Sequence, residues 1–127
     1  MANATEAVKR FVDAINASDV QAIGELLTED HQFIDAMGQM HAGRDKMTQG
    51  WKMYFHMVRD YAIEIDCTIS EDNRVGLFGW ARGTCGGTSW RFPAAWKAEV
   101  RDGQLSEWRI YADIEPMLRS MGVQRSL

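Results

Sequence analysis

Asp35 closes the short apolar stretch "HQFIDA", residues 31–36, where a carboxylate costs free energy unless it has partners or a use. Two uses suit an acid there. In an apolar wall, partial loss of water raises the basicity of a carboxylate and makes it an acceptor for a carbon-bound proton. At the end of a strand, an Asp instead takes hydrogen bonds from the amides of its own turn. From residue type alone the turn is the commoner use.

The other groups that could do chemistry are few. His31, His41 and His56 could serve as acids or bases, but their spacing suggests no metal site, and only His31 shares the expected face of Asp35. Cys67 and Cys85 fall in separate expected strands without metal-ligand spacing, which suits a reduced pair and a cytoplasmic protein. Arg82 is either an exposed cation near a pocket mouth or a clamp for a ligand carbonyl or carboxylate. The net charge of −4 and the absence of a basic stripe argue against nucleic acid as a partner. No apolar run is long enough for a membrane span, and "MANATEAVKRF" lacks the apolar core of a signal peptide.

These side chains need elements to hold them. Asn3 with Glu6 starts a first helix whose stripe is Val8, Phe11, Val12 and Ile15. Ser18 with Gln21 starts a second, buried through Val20, Ile23, Leu26 and Leu27. "HQFIDA" reads as a short strand with His31, Phe33 and Asp35 on one side. After Gly43 a third helix carries Met47, Trp51, Tyr54, Phe55 and Val58.

The period then changes from helical to alternating. Tyr61, Ile63, Ile65, Cys67 and Ile69 share a face of the next strand. "VGLFGWARGTC" sets Phe78, Trp80 and Arg82 against Gly79, Ala81 and Gly83, and the large set is expected to face inward. "WRFPAAWKAEV" aligns Trp90, Phe92, Ala94, Trp96, Ala98 and Val100, and "LSEWRIYADI" is the last strand. "EDNR", "GGTS" and "RDGQ" are the turns between them. Helices followed by hairpin-linked strands make an α+β fold, with one domain over residues 1–127.

This order resembles the nuclear-transport-factor-2-like superfamily. "AVKRFVDAINASDVQAIGELLTEDHQFIDAMG" is similar throughout to the first part of ketosteroid isomerases. Gly38 and Gly43 with "RD" supply a G-x-x-x-x-G-R-D entry to the third helix, and "WRIYADIEPMLRSMG" resembles the ending of SnoaL-like polyketide cyclases. The resemblance implies a cystatin-like α+β cone, in which three N-terminal helices pack on a curved, mainly antiparallel sheet around an apolar pocket, usually as a homodimer.

It also implies roles. Asp35 stands where ketosteroid isomerases keep the base that moves a proton beside a carbonyl, a reaction needing no cofactor or metal. Their oxyanion donors are absent: Phe11 replaces the Tyr, and the acid of the penultimate strand falls at Ala95 or Trp96, of which alternation favours Trp96. Trp96, Arg82 or Tyr54 would then donate to the developing oxyanion. Phe11, His31, Phe33, Trp51, Tyr54, Phe55, Phe78, Trp80, Trp108 and Ile110 would contact a small apolar carbonyl compound. Limonene epoxide hydrolases share the fold but carry "W-R-D-Y", where this chain has Trp108, Arg109, Ile110 and Tyr111. The implied activity is isomerase- or cyclase-type proton transfer; the alternatives are a binding protein without chemistry, an epoxide hydrolase-like enzyme, or a dimerisation module with a filled cone.

Overall fold

The structure is a computed structural model that describes residues 3–122; residues 1–2 and 123–127 of the one-domain expectation lie outside the described residues. Helix α1 (Ala4–Asn16) begins where Asn3 Oδ1 accepts the Glu6 amide at 2.8 Å, as the capping signal requires. Its buried stripe contains Val8, Phe11, Val12 and Ile15. Helix α2 (Val20–Glu25) starts one residue later than Ser18 suggests, because Asp19 accepts the Ala22 amide. Ser18 itself has φ 52°, a left-handed conformation that turns the chain between the helices and cannot act as a cap. Leu27 falls outside α2 and opens the first strand.

The strands are β1 (Leu27–Ile34), β2 (Met40–Ala42), β3 (Arg59–Glu71), β4 (Arg74–Cys85), β5 (Thr88–Arg101) and β6 (Gln104–Ala112). Helix α3 (Arg44–Met57) separates β2 from β3, and a fourth helix, α4 (Glu115–Ser120), follows β6; the latter was not foreseen. The strands form one sheet in the order β2-β1-β6-β5-β4-β3, antiparallel except for β1 beside β6. Gly86–Gly87 and Asp102–Gly103 turn two of the hairpins with both φ values positive, the geometry that matches strand twist.

Alternation in β5 holds throughout: Trp90, Phe92, Ala94, Trp96, Ala98 and Val100 are all buried. In β4 the inward face is the reverse of the expected one. Cross-strand partners share a face, and Gly83 pairs with Trp90, Ala81 with Phe92 and Leu77 with Trp96. Once the large residues of β5 point inward, the small residues of β4 must do so too. Phe78, Trp80 and Arg82 therefore lie on the outer face, opposite Ala95, Pro93 and Arg91.

Strand β3 is corrected as well. Its register shifts between Ile65 and Cys67, a bulge that reverses the alternation. Tyr61 and Ile63 are buried, whereas Cys67 and Ile69 beyond the bulge are exposed. Gly79 faces the bulge, where a Cβ would lie 1.8 Å from the Glu64 carbonyl oxygen. Backbone cannot yield as a flexible side chain can. Gly79→Ala should therefore lower unfolding stability by about 3 kcal/mol or more, read as a shifted urea midpoint; an unshifted midpoint would show that the bulge relaxes freely.

Candidate active site

β2 folds back on β1 through residues 35–39. The Asp35 amide donates to Gln39 O at 2.9 Å, the Gly38 amide donates to Asp35 O at 2.9 Å, and Gly38 supplies φ 83°. Asp35 therefore follows the last residue of β1 and opens the turn. Its Oδ1 accepts the amides of Met37 (2.9 Å) and Gln39 (3.0 Å). Its Oδ2 lies 3.0 Å from His41 Nε2. The register that pairs Phe33 with His41 also stacks their rings, with centroids 5.8 Å apart.

Asp35 also lines an apolar cavity of about 390 Å³. Asp35, His41 and Lys46 contribute its ionisable groups other than the tyrosines. The remaining wall is mostly aromatic and aliphatic: Phe33, Trp51, Tyr54, Tyr61, Phe92, Trp96, Trp108 and Ile110, with Ile114 and Met117 from the end of β6 and α4. Trp96 and Trp108 stack at 6.2 Å, and the Tyr54 hydroxyl donates to Met117 Sδ at 3.4 Å. A more open recess of about 770 Å³ lies where α1, β3, β4 and β5 meet; it holds Arg82 and Arg91 but neither Asp35 nor a histidine. That recess is the more open of the two and carries an acid of its own, Asp60, whereas Asp35 and the apolar wall belong to the smaller cavity.

Of the expected site residues, Asp35, Phe33, Trp51, Tyr54, Trp96, Trp108 and Ile110 come together on the cavity wall. Phe11 and Phe55 stand behind it: Phe11 packs edge-on to Trp108 at 4.9 Å, and Phe55 stacks on Trp51 at 5.4 Å. His31 is fully buried, and its Nδ1 is 2.7 Å from Leu105 O, so Nδ1 must carry the proton that a carbonyl can only accept. Burial holds the His31 ring below its usual range, against the opposing pull of that bond. Phe78, Trp80 and Arg82 are on the outer face, where Arg82 and Arg91 share Glu64 and Arg91 lies over Trp80 at 3.9 Å. Arg82 is thus no clamp for a ligand in this cavity.

Sequence reasoning missed His41, Tyr61, Phe92 and Met117. Phe92 shares the β5 face of Trp96, and Tyr61 shares the apolar face of its strand with Ile63, so alternation carries a signal for both. His41 had a weaker signal, the hairpin implied by Asp35 and Gly38. Met117 had only the Pro at the start of "EPMLRS" to announce its helix.

A family model described as a SnoaL-like domain matches residues 8–108. The chain belongs to the SnoaL-like family. A candidate polyketide cyclase from Pseudomonas putida KT2440 superposes with a TM-score of 0.86 at 17% identity, covering 94% of this chain and 98% of that one. A Catenulispora acidiphila protein with a ketosteroid isomerase-like fold, solved with trimethylamine, gives 0.83 at 20% identity, covering 94% of each. A limonene epoxide hydrolase-like enzyme from M. tuberculosis gives 0.82 at 20% identity, with 92% and 87% covered. These likenesses establish the nuclear-transport-factor-2-like α+β cone. No curated protein matches the chain.

The electrostatics of Asp35 correct another expectation. Burial pushes its carboxyl upward, but the His41 bond and the Gln39 and Met37 amides together outweigh that push and hold it below the usual range. A folded-state value below the unfolded one stabilises the fold above the unfolded value of about 3.9, and that stability disappears as pH falls through the folded value. Carboxyl-resolved NMR titration should find Asp35 titrating below about 3.9, and His41→Ala should move it upward. A titration above that value in the unaltered chain would contradict the hydrogen-bond network.

Proposed function

We propose that the SnoaL-like chain binds a small apolar carbonyl compound and shifts a proton next to the carbonyl, with Asp35 as the base and no cofactor. The observation that carries this is a carboxylate, bonded to His41, on the wall of a mainly apolar cavity. A carboxylate offers about four lone-pair sites. Asp35 can keep its turn amides and His41 and still face a ligand C–H. In the reaction the C–H bond breaks, its proton joins the carboxylate and the electron pair moves onto the carbonyl oxygen. Returning the proton to another carbon completes an isomerisation.

The hydrogen bonds that lower the Asp35 pKa weaken it as a base, but they also keep it ionised into mildly acidic solution. Trp96, whose indole is on the cavity wall, remains the candidate donor to the developing oxyanion.

The test is deuterium uptake from D₂O into a panel of cyclic ketones. Asp35→Asn keeps an oxygen for the Met37 and Gln39 amides but cannot accept the carbon-bound proton. Uptake should fall at least about 100-fold, while the unfolding free energy changes by only about 1 kcal/mol. Equal uptake by the variant would retire Asp35 as base.

The second reading is a binding protein without chemistry. What favours it is Phe11, wholly buried and without a donor where ketosteroid isomerases place a Tyr. Tight ketone binding with no exchange by the unaltered chain would select it. An epoxide hydrolase-like reaction is less well supported, because Arg82 is outside the cavity and Ile110 occupies the place of an acid.

The same reading expects a second copy of the chain on the outer face of the sheet. Phe78 and Tyr111 are 45% and 48% exposed there, among the ion pairs of Lys97 with Glu99 and Glu107. A self-complementary dimer would cover them. Sedimentation equilibrium at micromolar concentration should return twice the 14.4 kDa chain mass; a strict monomer would remove the dimer from the proposal.

A further inference from the structure

Tyr61 holds a polar group that nothing in the fold uses. It is on the inward face of β3, only 8% exposed, and it lines the cavity. Its hydroxyl has no hydrogen-bond partner among the described residues, yet the oxygen is not sealed off. Tyr54, edge-on at 4.9 Å, gives its own hydroxyl to Met117 Sδ rather than to Tyr61. With no partner in the fold, the hydroxyl contributes no hydrogen bond within the protein, and a phenylalanine would fill the same space. Burial pushes Tyr61 ionisation far above neutral pH, so the group stays a donor wherever the protein is folded.

Its position adds a direction. Asp35 and His41 belong to the β1–β2 hairpin at one edge of the sheet, and Tyr61 belongs to β3 at the other edge. Curvature brings both edges to the same cavity, with Trp96 and Trp108 on the strands between them. Tyr61 also borders the open recess beyond, so it forms the partition at the far end.

We propose that the Tyr61 hydroxyl anchors a ligand oxygen at the end of the cavity remote from Asp35. The ligand class is then an apolar, ring-bearing compound with two oxygen functions, one beside the Asp35–His41 pair and one hydrogen-bonded to Tyr61. The near end rests on the proton-transfer reading; the far end stands on Tyr61 alone.

Two probes of nearly equal shape test it. 2-Acetylnaphthalene carries one acceptor oxygen, and 2-isopropylnaphthalene has a methyl group in its place. Both are titrated into the protein by quenching of tryptophan fluorescence. The unaltered chain should bind the ketone about five- to tenfold more tightly, the effect of one buried hydrogen bond. Tyr61→Phe should bind both alike, with its hydrocarbon affinity and melting temperature unchanged. A preference that survives in Tyr61→Phe, or is absent from the unaltered chain, would overturn the assignment. Failure of the hydrocarbon to bind the unaltered chain would instead overturn the cavity reading, and the anchor with it.

Discussion

The pairing of β4 with β5 governs the interior of this protein. Gly83 and Ala81 lie across from Trp90 and Phe92, and a Cβ on Gly83 would come within 2.8 Å of the Trp90 ring and 2.7 Å of Val58. The rings of Trp90 and Phe92 can lie over β4 only because β4 presents glycine and alanine across from them. The Ile65–Cys67 bulge and Gly79 then bend the neighbouring strand, which turns a flat surface into a concave one. Helices α1 and α3 cover that concavity without filling it, and the aromatic cavity is what remains.

Asp35 shows how one carboxylate can serve two purposes that compete. Its Oδ1 ties the 35–39 turn, and its Oδ2 holds His41. Both bonds favour the ionised form and oppose the rise that an apolar wall would cause. The result is an acid that is well fixed in place and less basic than a free one in the same wall. Any chemistry it performs draws more on placement than on a poised proton affinity. The Phe33–His41 stack completes the arrangement by fixing the plane of the imidazole.

Much of the architecture was legible because it depends on local rules. The Asn3 cap, the stripe of α1, the Gly-Gly and Asp-Gly turns and the alternation of β5 each follow from a few neighbouring residues. The errors arose where a distant partner decides. Large and small residues alternate in β4 whichever face is inward, and only the register with β5 chooses between them. The bulge in β3 is set by the backbone of β4, so Cys67 and Ile69 looked as inward as Ile63. At the site, Asp35 was visible as an acid in an apolar run, whereas its link to His41 requires the hairpin to be closed. Arg82 was misplaced by the same inversion that misplaced Phe78 and Trp80.

The single parallel pairing has a consequence for how the site comes into being. β1 joins the main sheet only through β6, with Leu27 beside Leu105 and Phe33 beside Trp108. Some seventy-five residues of chain must be made and folded before that contact closes. Long loops of this kind slow the closing step, because their entropy must be lost before the contact rewards it. During synthesis the Asp35 hairpin therefore waits without a neighbour on one side, and Ile114 and Met117 emerge later still. The interior of the cone is the last part to close, and until then Phe33 stays without its neighbour Trp108.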